Sequence, residues 1–559
     1  MTARADNIYD ALALSAERFG DTDFLVVDQR REVLSFRGLA AAADAFGCAL
    51  AGLGVGPGER VAVWMTNQAD WAVAAFGAGR AGAVLVGVNT RLTAREVAHM
   101  LVLTRPKVWI LEEMFLAKIN AAEAIAPVLA ACAAANLEPP TIVLRRAMGP
   151  RGPVATGPRV LDWDDVVGSA GEAADLPPAA NLVARGAECG FPELAGVAAI
   201  LSTSGTTAAP KGVMLTHAGL LRLGGACAER QELAPGERFY SVGPFFHCSG
   251  YMHGLLTNLQ AGSTFFTAQK FEPAAAWDVI VRERITCYHG SIVPLQEMER
   301  LPEFDRRMIP RFTRAWYSAP AVEMARLESV FGTRRCEVYG LTETGGNIAI
   351  CRASDPLAMR HDSDGRPQEG LEVRIVDPSG GPPLAEATPG EICVRGWNVM
   401  RGYFRDPEAT RRAIDAEGWL HTGDQGVRLP DGFVKFLSRL KDVIRVGGEN
   451  LSPLEVEEVL MAHPGVREAA VVAAPHPRLG EVPVAFIVAQ PGSRVTDAEL
   501  AAYCARQLAN FKVPKRFVLV EDLPRSSAVQ GRVAKIRLRE MLLGKPAEPA
   551  TPINSAAVP

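Results

Sequence analysis

Ser202-Thr203-Ser204-Gly205-Thr206-Thr207-Ala208-Ala209-Pro210-Lys211-Gly212 gathers hydroxyls, glycines and one lysine into a single turn-prone loop. Main-chain amides and hydroxyls in such a loop suit the oxygens of a polyphosphate, and an ammonium can neutralise charge developing there. The loop is not a Walker loop, because Gly205 and Lys211 have the wrong spacing and no Ser or Thr follows the lysine. Of 59 basic residues only ten are lysines, and Lys211 is the one lysine between Lys118 and Lys270. Cys248 has no paired base and reads as a small pocket-lining residue, and His253 reads as structural.

The elements around this loop must hold it rigidly. The apolar run Leu194–Leu201 precedes it and a helical stretch, Ala218–Ala228, follows. Phe36–Leu53 and Trp71–Ala81 read as helices, each leading to a short apolar strand, Val61–Trp64 and Ala83–Val88. Such alternation predicts parallel sheets covered on both faces. Gly54, Gly56 and Gly58 precede a strand instead of following one, so they read as a turn, not a dinucleotide fingerprint. The Pro-, Gly- and Ala-rich stretch 136–191 reads as a surface insertion or long loop.

From about residue 365 to 438 short alternating strands such as Leu371–Val376 and Gly390–Val394 predict a small β-rich subdomain. Pro453–Ala462, Val466–Ala474, Pro483–Val488 and Asp497–Leu508 predict a compact α+β unit. The expected class is α/β: a large N-terminal domain of parallel-rich sheets, residues 1–438, and a small C-terminal domain, 439–545, before a disordered tail, 546–559.

The chain has 559 residues, 48% hydrophobic and 22% charged, as expected of a globular protein with several domain-sized units. A net charge of -4 argues against nucleic acid as a partner. Ten scattered cysteines without a metal-like spacing suggest reduced thiols in a cytoplasm. Met1–Asp10 lacks a signal-peptide core, and Arg80 splits the most apolar stretch well short of the ~20 residues of a membrane span. Oligomeric state is not legible.

Six segments in order carry a resemblance. They are Thr203–Gly212; Pro244-Phe245-Phe246-His247; Tyr339-Gly340-Leu341-Thr342-Glu343-Thr344; Gly390–Gly396; Gly418–Asp424; and Arg439-Leu440-Lys441-Asp442 leading to Gly447-Gly448-Glu449-Asn450. With these the chain, from about Ile8 to Glu540, resembles the adenylate-forming (AMP-binding) superfamily, and most closely its fatty or aromatic acyl-CoA synthetase branch.

The resemblance implies an ATP-, Mg²⁺- and CoA-dependent ligase that adenylates a small carboxylic acid and then forms a thioester, releasing AMP and pyrophosphate. Thr203, Ser204, Gly205, Thr206, Thr207 and Lys211 would then hold the triphosphate, and Thr342 would touch the α-phosphate. Glu343 would bind Mg²⁺, a hard cation that favours oxygen ligands. Asp424 would bind the ribose hydroxyls, Arg439 the ribose or phosphate, and Ser318, Ala319 and Pro320 would lie along the adenine, near Tyr339 and Gly340. His247 would flank the carboxylate pocket. Lys441 would be the hinge about which the mobile C-terminal domain swings the Gly447-Gly448 face in to admit pantetheine.

Three positions depart from the pattern. In Pro524–Lys535 the loop is two residues longer than in relatives and Arg532 follows the glycine, where a lysine bridges carboxylate and α-phosphate. A forked guanidinium does not replace a compact ammonium, so the catalytic cation is Arg532 or, with a register shift, Lys535. Ala208 replaces a glycine, and Tyr317-Ser318 replaces a glycine pair, which suggests a narrowed or hydroxyl-capped acyl tunnel. Two alternatives stay open: an adenylating enzyme with an unusual acid or a non-CoA acceptor, and a catalytically weakened nucleotide or acyl-ligand binder. The run Phe511–Arg516 reads as a solvated basic face.

Overall fold

The computed structural model describes residues 5, 7–113, 121–146, 160–168, 176–177, 179, 182, 192–202, 210–318, 321–446, 449–525 and 533–543. Two large sheets dominate. Among the described residues the first has eight strands in the order Gly402–Tyr403, Gly212–Thr216, Val197–Ser202, Val84–Gly87, Arg60–Trp64, Val108–Glu112, Thr141–Arg145 and Val160–Asp162. The second has seven, from Arg334–Cys336 through Arg314–Ser318, Cys287–Ser291, Arg238–Tyr240 and Thr264–Thr267 to Asp23–Val27 and Glu32–Ser35. Its first six strands run parallel, as the uninterrupted apolar strands require.

Side-chain clusters define the layers. Val61, Val63, Leu85, Ile110 and Leu201 of the first sheet share one core with Leu25, Phe239, Phe265 and Trp316 of the second. Helices Phe36–Gly52 and Ala69–Arg80 fill it with Phe46, Trp71 and Phe76. Ala62, Trp64, Trp109 and Met214, on the opposite face of the first sheet, pack under helix Ala94–Thr104. Tyr240, Tyr288 and Tyr317, on the opposite face of the second, pack under Pro273–Arg282 and Ala321–Phe331. Helices therefore lie between and outside the two sheets, an α/β arrangement of five layers. Among the described residues no helix is long and apolar enough to cross a membrane.

Two expectations need correction. Residues 136–191 do not form a plain loop: Thr141–Arg145 and Val160–Asp162 extend the first sheet in parallel register, followed by helix Trp163–Gly168. Ile142, Val143 and Leu144 are buried, so their β-branched run overrode the Pro- and Gly-rich surroundings. Tyr317 does not face the sheet's inner side. It pairs with Gly290 in the strand register, while His289 pairs with Trp316, so alternation sends Tyr317 to the outer face. There its ring lies 5.0 Å from the Arg335 guanidinium, away from any tunnel on the inner face.

The β-rich stretch is a four-stranded antiparallel sheet of Leu371–Val376, Gly390–Gly396, Leu420–Arg428 and Val434–Arg439. It is not self-contained, because Gly402–Tyr403 leaves it to join the first large sheet. After the short turn Leu440–Asp442, a further sheet contains Ile444–Val446, Glu449–Leu451, Val466–His476, Gly480–Ala489 and Arg516–Leu519. Helices Pro453–Met461 and Asp497–Ala505 cover its Val471–Ile487 core.

Candidate active site

The strand that follows the Ser/Thr/Gly loop is the platform of the site. Met214 and Val213 pair with Gly402 and Tyr403, and the amides of Arg401 and Phe404 donate to the carbonyls of Met214 and Gly212 at 2.9 and 2.8 Å. The Met400 amide donates to the Glu343 carbonyl at 2.7 Å. Residues 400–404 thus stitch the loop's exit to the turn Thr342–Thr344. Side chains complete the junction: the Tyr403 hydroxyl donates to Glu343 Oε1 at 2.8 Å, and Lys211 Nζ lies 4.6 Å from the centre of the Tyr403 ring. Burial and the Glu343 charge both hold the Tyr403 phenol protonated, its pKa well above the usual range.

Gly340 lies in the crowded approach to this turn. A Cβ there would come within 2.5 Å of the Asn347 backbone, so only glycine fits. Thr344 Oγ1 accepts from the Leu341 amide at 3.1 Å and closes the turn that presents Thr342 and Glu343.

A second cluster forms where the β-rich sheet meets the main body. Asp424 pairs in register with Arg439 and is only 2% exposed. Tyr339 donates to Asp424 Oδ2 at 2.9 Å, and Arg439 Nε lies 3.0 Å from Oδ1. Tyr339 stacks on Phe436, with burial first and Asp424 second raising its pKa well above normal. The Gly423 amide donates to Glu391 Oε1 at 3.0 Å and His421 Nδ1 lies 2.9 Å from Oε2, so Glu391 braces the segment carrying Asp424.

His247 caps the short helix Cys248–Gly250, its Nδ1 accepting from the Ser249 amide at 3.2 Å. Cys248 is buried, and burial, aided by the Glu343 charge, pushes its thiol up to about 12. That leaves it protonated and unreactive, in keeping with a pocket-lining residue.

The expected residues are only partly assembled. Lys211, Thr342 and Glu343 come together, as do Tyr339, Asp424 and Arg439. Ser318 ends the strand Arg314–Ser318, next to the edge strand of the second large sheet. Lys441 lies in the exposed turn joining the last β-rich strand to the small domain, where neighbouring Asp442 pairs with Arg539 Nη2 at 2.8 Å. Lys535 opens the helix Lys535–Leu542 and pairs with Glu457 at 2.6 Å, within the small domain. Lys512 pairs with Glu455 at 2.6 Å. Thr203, Ser204, Gly205, Thr206, Thr207, Ala319, Pro320, Gly447, Gly448 and Arg532 lie outside the described residues.

Sequence reasoning missed Tyr403 and Glu391. Tyr403 is 60 residues from Glu343, and its only local signal was the Arg401-Gly402-Tyr403 run following the Gly390–Gly396 segment. Glu391 stood inside a recognised segment without an assigned role.

Comparisons with known proteins show the family. The AMP-binding enzyme family matches residues 12–404, and the AMP-binding enzyme C-terminal domain matches 455–528. The chain is 36% identical over 497 residues to the 3-[(3aS,4S,7aS)-7a-methyl-1,5-dioxo-octahydro-1H-inden-4-yl]propanoyl:CoA ligase of Mycobacterium tuberculosis, covering 88% of this chain and 91% of the relative. It is 30% identical to the putative acyl-CoA synthetase YngI of Bacillus subtilis, over 95% of this chain and 96% of that one. ATP-bound MatB from Rhodopseudomonas palustris superposes with a TM-score of 0.81 at 27% identity, over 96% of this chain and 99% of the other. The chain belongs to the AMP-binding enzyme family, and within it to the acyl-CoA ligases.

Proposed function

We propose that the two clusters form one nucleotide site, in which this ligase adenylates a carboxylic acid and passes the acyl group to CoA. A carboxylate oxygen attacks the α-phosphorus of ATP, and the bond to the bridging oxygen breaks as pyrophosphate leaves. The CoA thiolate then attacks the acyl carbon, and the C–O bond to AMP breaks. Both steps bring anions together, so oriented cations and donors supply most of the rate.

The observation that carries this reading is the meeting of Lys211 and Glu343 at Tyr403, three groups from distant segments. Lys211 would hold phosphate oxygens together with Thr203, Ser204, Gly205, Thr206 and Thr207, and Thr342 would orient the α-phosphate. The buried carboxylate of Asp424 fits the ribose diol, because its two charged acceptor oxygens match two hydroxyl donors. Glu343 fits Mg²⁺ as a partly exposed carboxylate near the exit of the phosphate loop, with Tyr403 donating to Oε1 among the described residues. Mg²⁺ bound there would neutralise phosphate oxygens. Ser318, Ala319, Pro320, Tyr339 and Gly340 would frame the adenine. His247 would flank the acid's carboxyl group, and Arg532, or Lys535 once released from Glu457, would supply the late cation.

Lys441 is the proposed hinge, with residues 1–438 and 439–545 as the two bodies and Gly447 and Gly448 facing the pantetheine arm. The proposed setting is a reducing cytoplasm, in keeping with the free thiols of the nine described cysteines. The acid is the open part of the reading, because named relatives act on acids as unlike as sulfoacetate and 4-coumarate. The test is AMP and thioester production from ATP across aliphatic, aromatic and ring-bearing keto acids, each with and without CoA. Sustained turnover only with CoA supports the ligase; turnover with an amine acceptor alone would replace it.

A further inference from the structure

Two buried histidines beside this site have no role in the scheme above. His253 lies in the π-helical turn Tyr251–Leu256, six residues after His247, and His289 lies in the strand Cys287–Ser291. Their rings stack with centroids 4.0 Å apart at 22°. They are 3% and 5% exposed, and the Nδ1 atom of each is buried with no hydrogen-bond partner among the described residues.

Their place in the fold ties them to the acyl end of the pocket. His253 Nε2 would lie 3.8 Å from a Cβ added at Gly346, which itself would collide with Cys248 Cβ at 2.6 Å. Gly346 closes the turn bearing Glu343, and Cys248 adjoins His247. His289 occupies the sheet's inner face, stacked on Phe239 as well as on His253. The pair therefore lies near His247, on the face of the sheet opposite Tyr317. Turns of π-helix are rare and gather at functional sites. Here the turn lowers His253 onto His289 while Thr257 and Asn258 take up the loosened carbonyls of Met252 and Gly254 at 2.9 and 2.6 Å.

We propose that His253 and His289 form a polar floor for the acyl group, selecting acids that carry an uncharged hydrogen-bonding oxygen, a ketone or hydroxyl, away from the carboxylate. The inference rests on the ligase reading above. Desolvating two ring nitrogens costs stability that no hydrogen bond among the described residues returns, and a ligand oxygen returns it. Burial pushes His253 down to about 4 and His289 well down, so both rings are neutral near pH 7. The other ring nitrogen of His253 faces the Gly346 backbone as donor, so its Nδ1 is left to accept from a hydroxyl. Neutral His289 can turn a donor to a ketone or an acceptor to a hydroxyl, and neither ring gives a countercharge to a second carboxylate. A plain alkyl chain would leave both nitrogens desolvated and unpaired, the situation in which polar sites discriminate most strongly.

The test uses non-hydrolysable acyl-sulfamoyl adenosines, matched in length, with and without a keto or hydroxyl group on the acyl chain. Affinities are measured by calorimetry on the full-length wild type and on His253→Phe and His289→Phe, which keep a stacked ring but remove its nitrogens. The wild type is expected to bind the best oxygenated analogue at least about tenfold more tightly than its alkyl partner, and each variant to reduce the ratio to about twofold or less. His289→Gln, which restores a donor and an acceptor, should recover part of the preference. AMP binding in every variant confirms that it has folded. Equal wild-type affinity for oxygenated and alkyl analogues, or a preference unchanged in both phenylalanine variants, overturns the proposal. If AMP binds but no acyl analogue does, the ligase reading itself fails and takes the polar floor with it.

Discussion

Replacing Asp424 by asparagine separates a nucleotide-binding carboxylate from a structural one. In the protein Tyr339 donates to Oδ2 and Arg439 Nε lies 3.0 Å from Oδ1, and the two charged oxygens of the carboxylate match the two hydroxyl donors of a ribose diol. Hydrogen bonds to a charged acceptor contribute about 1.5–3 kcal/mol each, and neutral ones about 0.5–1.5 kcal/mol. Asparagine loses the charge and exchanges one acceptor oxygen for a donor, so the two ribose bonds together should weaken by about 2–4 kcal/mol. At about 1.4 kcal/mol per factor of ten, the dissociation constant for ATP rises about 30- to 700-fold. Stability should change far less. The Arg439 side chain is 36% exposed, which limits the lost ion pair to about 1 kcal/mol, and Tyr339 can still donate to the amide oxygen. Calorimetric titration with ATP, beside thermal unfolding, reads both quantities. A large fall in melting temperature with ATP affinity unchanged would refute the reasoning.

Other perturbations probe separate parts of the site. Tyr403→Phe removes the hydroxyl on Glu343 Oε1 and leaves the ring under Lys211, so it should raise the Mg²⁺ concentration needed for half-maximal ATP binding by about three- to tenfold, read by titration at fixed ATP. An unchanged Mg²⁺ requirement would detach Tyr403 from the metal carboxylate. Arg532→Lys should speed pyrophosphate release if Arg532 is an impaired substitute for the usual lysine; an unchanged or slower rate counts against that. His217, buried and held down to about 4 by desolvation, accepts from the Ile8 amide at 3.2 Å. The unfolded chain binds its proton near pH 6.5 and the folded chain does not, so this group's contribution is present above pH 6.5 and is lost as pH falls toward 4. Asp364, pushed up to about 8 by burial beside Glu337, acts with the opposite slope, so the informative quantity is a difference between proteins. His217→Asn should lose about 2 kcal/mol less stability than wild type between pH 7 and 5, measured by urea unfolding. Parallel pH profiles would contradict it.

Legibility in the sequence followed the range of the interactions. Helix Phe36–Gly52 was readable because its apolar spacing is local, and strand Arg60–Trp64 because both its faces are buried. Thr141–Arg145 was hidden because its edge is defined by a partner strand, Val108–Glu112, and not by its Pro-rich neighbours. The meeting of Lys211 with the Thr342–Glu343 turn, and of Tyr339 with Asp424 and Arg439, joins short segments each of which carries a chemical signature. Tyr403 was not legible: its position depends on pairing with Val213, about a third of the chain away, and a tyrosine in so short a strand carries no mark of that. His253 read as structural for a similar reason. Its stacking on His289, from another element, and the burial of both Nδ1 atoms without a partner among the described residues are not local features.

Isotope transfer tests the central claim most directly. An acid labelled with ¹⁸O in its carboxylate is turned over with ATP and CoA, and the recovered AMP is analysed by mass spectrometry. Attack on the α-phosphorus places one ¹⁸O in the phosphate of AMP alongside an equivalent of acyl-CoA, and that is the expected result. Acyl-CoA formed with unlabelled AMP, or with ADP and labelled inorganic phosphate, would show that no acyl-adenylate is made and would contradict the account.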